Sequence, residues 1–190
     1  MKKMVILRGN SAAAGTYPDE KGKKIAWPIG ALHVEAAGDF ARRMRYLPVV
    51  LPIPGQPQSK SSPQTNAAIT LFLADLDVKA FFGFSGGGYN VKHILDRLAL
   101  QHPESLSRIE LVVSLGAPRP HPSEFDPVHY NSVLKEGIAP AAWDVVYKTN
   151  PPPNHPVVPK GLDSHMFGPE WLLRETPAGR YRDMPLQVED

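Results

Sequence analysis

The chain has 190 residues, of which 42% are hydrophobic and 21% charged, with a formal net charge of +2. That is the length of one domain with a sizeable core, and no basic run is long enough to suggest a nucleic-acid partner. There is no cysteine, which excludes disulfides and suits a reducing cytoplasm; the apolar stretch behind Met1-Lys2-Lys3 reads as too short for a signal peptide or a membrane span.

Met4-Val5-Ile6-Leu7 is a continuous apolar run, the pattern of a strand buried on both faces. Arg8-Gly9-Asn10-Ser11 ends it, and the polar, glycine-containing stretch up to Pro28 reads as a loop. Ala37, Phe40, Ala41 and Met44 then recur at helical spacing. A second strand follows in Pro48-Val49-Val50-Leu51-Pro52-Ile53, and 54–62 reads as a rim loop. Ser62-Pro63 supplies an N-cap and a proline at the first helical position. That helix is expected to turn Ile69, Phe72, Leu73 and Leu76 inward.

Ala80-Phe81-Phe82 opens a third strand, which runs into Gly83-Phe84-Ser85-Gly86-Gly87-Gly88. The next helix places Val91, Ile94, Leu95 and Leu98 on one face and closes at His102-Pro103. The run 109–115 reads as a fourth strand ending at Gly116-Ala117-Pro118. Asp126-Pro127 opens a predicted short helix to Glu136, stopped by Gly137. Val145-Val146-Tyr147 is the fifth strand, ending at Thr149-Asn150. A proline-rich loop over 151–159 follows, and Pro169 starts a last short helix over 170–175. Most of the 21 prolines stand just after predicted strands, where they stiffen the loops of one face.

Strands alternating with helices predict an α/β fold: a doubly wound, mainly parallel sheet of about five strands with helices on both faces. A single domain is expected over 1–175, with a loose polar tail over 176–190. Such sheets bind ligands outside the carboxyl ends of their strands. Gly9-Asn10, Gly55, Ser85, Gly116 and Asn150 all fall at those ends.

Gly83-Phe84-Ser85-Gly86-Gly87 fits G-x-S-x-G between a strand and a helix. Small residues two before and two after the serine let strand and helix approach. The hydroxyl then stands clear of the backbone above a helix N-terminus. The plainer readings are a glycine-rich turn with Ser85 as filler, or a phosphate cradle. A serine nucleophile needs a base, and there are seven histidines. His33, His93 and His102 fall on predicted helices and read as surface residues. His121, His129 and His155 fall in or near the active-face loops. His165 lies after the last strand, where the chain order Ser…acid…His places the base.

On these residues the chain resembles the α/β-hydrolase superfamily, and within it most nearly the class 3 lipases. Gly83 to Gly87 is similar to that family's G-H-S-x-G, with Phe84 where histidine is usual. Leu115-Gly116-Ala117-Pro118-Arg119 is similar to its F-G-x-P-R. Lys148-Thr149-Asn150-Pro151-Pro152-Pro153 is similar to the stretch that carries the acid, and His165 with Gly168, Glu170 and Trp171 to its closing histidine block. The resemblance implies hydrolysis of a small-molecule ester without a cofactor or metal. It implies Ser85 as nucleophile, His165 as base and Gly86 N–H as an oxyanion donor, with a second donor from the Gly9-Asn10-Ser11 loop, assigned to Asn10. Asn150 stands where the family has aspartate. Its carbonyl can hold a histidine tautomer but adds no charge. Asp126, Asp144 and Asp163 are the other acids considered: Asp126 reads as an N-cap, Asp144 sits at the wrong end of its strand, and Asp163 is close in sequence to His165.

Three further readings stand beside this one. Gly9-Asn10-Ser11 and Asp163-Ser164-His165 are each one feature away from the motifs of an SGNH-type esterase using Ser11. His121, Glu124, Asp126 and His129 could gather round a metal, but without a metal-specific spacing. A non-catalytic or weakly active binding module would use the same glycine loop to hold a phosphate-bearing ligand.

Overall fold

The computed structural model describes residues 1–9, 15–18, 24–27, 29–53, 62–116, 144–148, 151–152, 154–158, 160 and 164–175. The apolar run near the start is strand β1 (Lys3–Leu7). It is followed by β2 (Gly15–Pro18) and β3 (Lys24–Trp27), which pair with each other antiparallel, Gly15 opposite Trp27. The loop expected up to Pro28 therefore contains a hairpin, built on the β-favouring Thr16, Tyr17, Ile25 and Trp27. Helix α1 (Ile29–Arg43) begins well before its periodic apolar residues. It ends at Arg45, whose φ of 66° lets Tyr46 N–H donate to Ala41 O at 2.8 Å.

Strand β4 (Leu47–Val50) stops earlier than the expected Ile53. Leu51 N–H still donates to Ile6 O at 3.1 Å, but Pro52 has no amide to continue the ladder. Helix α2 (Pro63–Ala74) starts as its sequence signal requires: Ser62 Oγ accepts from Thr65 N–H, with Pro63 in the first turn. Asp75 ends it in an extended conformation and accepts from Asp77 N–H on Oδ1. Leu76 therefore falls outside the helix and is 69% exposed, not inward as expected. Strand β5 (Val78–Phe84) leads into α3 (Gly86–Gln101). A short 3-10 helix over Pro103–Arg108, which the sequence reading lacked, precedes β6 (Leu111–Leu115). Strand β7 (Asp144–Lys148) is the last, and a 3-10 turn over Ser164–Phe167 runs into α4 (Gly168–Glu175). The predicted helix over 127–136 and the tail over 176–190 lie outside the described residues.

Among the described residues the main sheet has five strands, all parallel, in the order β4-β1-β5-β6-β7. Both faces are covered, which is why the strands read as unbroken apolar runs. Met4, Ile6, Phe82 and Val113 face Phe40 and Ala41 of α1 and Leu172 of α4. Val5, Leu7, Phe81 and Val112 face Phe72 of α2 and Ile94 and Leu98 of α3. Each buried phenylalanine of β5 contributes about 2 kcal/mol of transfer free energy. The direction of winding reverses between β1 and β5, so their carboxyl ends flank the crevice where such sheets bind ligands. No helix among the described residues is long and apolar enough to cross a membrane.

Candidate active site

Ser85 occupies that crevice. It is the single residue between β5 and α3, with φ 54° and ψ −122°. A non-glycine residue held there stores roughly 1–3 kcal/mol of backbone strain. Its surroundings over-determine the conformation. Ser85 N–H donates to Leu115 O at 2.8 Å, and Tyr89 N–H donates to Ser85 O at 3.3 Å. A Cβ at Gly83 would lie 2.3 Å from Gly87 O, and one at Gly87 would lie 2.4 Å from Leu7 O. These two glycines are thus the spaces through which β5, α3 and β1 touch. Gly9 extends the pattern: a Cβ there would meet Ser85 Cβ at 3.0 Å and Phe84 O at 3.1 Å. The chain leaving β1 therefore passes directly beside the serine.

His165 comes from the turn ahead of α4. Its Nε2 lies 3.0 Å from Ser85 Oγ, although 80 residues separate the two. Its ring stacks on Phe84, with centroids 5.2 Å apart and planes 27° from parallel. Gly168 lets the start of α4 come this close, since a Cβ there would be 3.0 Å from Phe84 Cε2. On another side of Phe84, His33 of α1 packs edge-on at 4.6 Å. Gly86 is the first residue of α3, and an amide in that position has no acceptor within its own helix.

Of the residues singled out in the sequence, Ser85, Gly86 and His165 come together at one point. Asn10, Ser11, Asn150, Asp163, Asp126, His121, Glu124 and His129 lie outside the described residues. Asp144 pairs opposite Leu111 at the amino end of the sheet, away from Ser85. His155 packs edge-on against Trp171 at 6.3 Å, and its Nδ1 accepts from Val157 N–H at 3.3 Å. His33 and His93, expected at the surface, are each 8% exposed. Both sit edge-on to an aromatic ring, His33 to Phe84 and His93 to Tyr89, which covers a helix face that the sequence pattern leaves polar.

Glu170, in the first turn of α4, has no counterpart among the sequence expectations beyond its place in the closing block. Its Oε2 is buried, with no hydrogen-bond partner among the described residues. Burial pushes its carboxyl up to about 7, against a smaller lowering by a backbone hydrogen bond. Among the described residues no group of three or more His, Asp or Glu could hold a metal ion. No family model matches the chain, no curated protein matches it, and no solved structure matches it.

Proposed function

We propose that this protein is a serine hydrolase of ester bonds, built on an α/β-hydrolase-like sheet and nearest in kind to the class 3 lipases. One observation carries the reading: Ser85 sits in a strained strand-to-helix turn with its Oγ 3.0 Å from His165 Nε2. A filler serine in a glycine turn needs neither the strain nor the imidazole. The absence of cysteine fits work in a reducing compartment such as the cytoplasm.

In this reading His165 Nε2 takes the Ser85 proton as Oγ attacks the ester carbonyl carbon. The carbonyl electron pair moves to oxygen, where Gly86 N–H and a second donor, assigned to Asn10 N–H, stabilise it. Collapse restores the carbonyl and expels the alkoxide, which takes the proton from His165. Water then gives a proton to His165 and attacks the acyl-serine. The second collapse releases the acid and returns the proton to Ser85. The close passage of Gly9 beside Ser85 supports the placing of the second donor. The candidates to orient His165 are Asn150 and Asp163, with another residue or water as the alternative.

The test is covalent labelling with a fluorophosphonate, followed by mass spectrometry of the labelled peptide. Label is expected on Ser85 of the wild type and on no residue of Ser85→Ala. Folded wild-type protein that takes no label, or takes it elsewhere, overturns the reading.

A further inference from the structure

A buried amide network lies beside the proposed oxyanion site. Gln64, in the first turn of α2, is fully buried, as is Asn90 of α3. Gln64 Nε2 donates to two main-chain carbonyls, Arg8 O and Ile53 O, each at 3.1 Å. Those carbonyls belong to the chain just beyond β1 and just beyond β4. Carbonyls only accept, so the amide orientation of Gln64 is fixed, and its Oε1 must face a donor. Asn90 Nδ2 supplies that donor at 2.7 Å. Asn90 Oδ1 in turn lies 3.3 Å from Ser62 Oγ, the N-cap of α2, which also lies 2.8 Å from Thr65 Oγ1.

Arg8 O precedes Gly9, where an added Cβ would meet Ser85 Cβ at 3.0 Å. Asn90 stands about one helical turn beyond Gly86, the first residue of the helix that Ser85 precedes. Gln64 therefore ties Arg8, whose chain continues beside Ser85, to the helix that begins at Gly86 with the first proposed oxyanion donor. Oxyanion donors stabilise a transition state only when held at fixed positions, and a fully satisfied buried network is the rigid way to hold them.

We propose that Gln64 is a positioning residue for the oxyanion site, acting through Arg8 O on the chain that leaves β1. The proposal rests on the serine-hydrolase reading. Gln64→Met removes both donors while filling similar volume, and it moves the β1 exit without touching Ser85 or His165. Oxyanion stabilisation is a transition-state effect. The variant should therefore lose about tenfold or more in kcat on p-nitrophenyl acetate while KM stays within about twofold. Gln64→Glu, protonated in so buried a place, keeps one donor and the acceptor for Asn90; it should lose less than Gln64→Met. Leu106→Ala, a core change at the amino edge of the sheet, controls for lost stability and should leave kcat within about twofold.

Steady-state kinetics of these folded variants, beside fluorophosphonate labelling of the wild type, decides the matter. A labelled, active wild type with kcat unchanged in Gln64→Met, or with the loss falling on KM, overturns the positioning role and leaves the hydrolase reading standing. A wild type that neither turns over nor takes label overturns both. Should Gln64→Met fail to fold, Gln64→Glu carries the test: a fall in kcat of about threefold or more at constant KM supports the role, and a smaller one overturns it.

Discussion

Phe84 and His165 lie face to face, their ring centroids 5.2 Å apart, with Phe84 contributed by the residue immediately ahead of Ser85. An imidazole that accepts a proton in the reaction becomes a cation, and the face of a phenyl ring attracts a cation by roughly 1 kcal/mol. Stacking also fixes the plane of the ring, so that Nε2 stays aimed at Ser85 Oγ. Phe84→Leu should lower kcat/KM about fivefold and move the acid limb of its pH profile to lower pH, because the imidazolium loses support. Phe84→Tyr, which keeps the ring face, should behave as wild type. The pH dependence of ester hydrolysis reads both.

In the proposed mechanism Ser85 and His165 act on one proton, so their removal should not compound. Ser85→Ala and His165→Ala should each cut turnover by about a millionfold if the site is a fully active triad, and the double variant should be no slower than either. The same ester assay separates the two candidate orienting groups. Asn150→Asp should raise turnover if Asn150 holds His165, and Asp163→Asn should cripple it if Asp163 does.

The glycines of the turn are set by contact. Gly83→Ala and Gly87→Ala each drive a methyl group into main-chain atoms, 2.3 Å from Gly87 O and 2.4 Å from Leu7 O respectively. Neither neighbour can move aside without displacing the first turn of α3 or the end of β1. Each substitution should cost about 3 kcal/mol or more in urea-unfolding free energy. Gly116 has a φ of 57°, so the backbone strain of Gly116→Ala alone should cost about 1 kcal/mol.

Glu170 gives stability a pH dependence. Its folded pKa is raised from 4.5 to about 7, so between those values the native state keeps a proton that the unfolded chain releases. The contribution is full below pH 4.5, declines through the window and is gone above about 7. The difference is about 3 kcal/mol, at 1.36 kcal/mol per unit. Glu170→Gln removes this slope, so it should gain on the wild type by about that amount between pH 4.5 and pH 8. Urea unfolding at the two pH values measures it.

Much of this architecture is written in short local patterns. Strands covered on both faces must be apolar throughout, so Met4 to Leu7 and Ala80 to Phe82 announce themselves. Ser62-Pro63 marks a helix start by hydrogen bonding and fixed φ, both local effects. The turn at Ser85 is legible because its crowding admits only glycine at Gly83 and Gly87. What escapes is whatever two elements decide jointly. His33 is buried because Phe84 arrives beside it, and nothing near His33 in the chain says so. Gln64 and Asn90 are ordinary polar residues on two helices until the packing of α2 on α3 removes their water. The hairpin of β2 and β3 is hidden in a stretch whose polar composition resembles a loop.

The strand order also governs how the molecule is assembled. β1 lies between β4 and β5, and its register pairs Lys3 with Leu47 on one side and with Val78 on the other. Both partners are distant in sequence, and closing such loops precedes any reward from the contacts. During synthesis one edge of β1 is open until β4 has emerged and the other until residue 84 has, a window in which a neighbouring chain can pair with it instead. The helices can form locally in the meantime. Ser85 reaches its strained backbone angle only once β1, β5 and β6 are docked around it. On refolding from denaturant, the helical signal should therefore return first and the proposed esterase activity last.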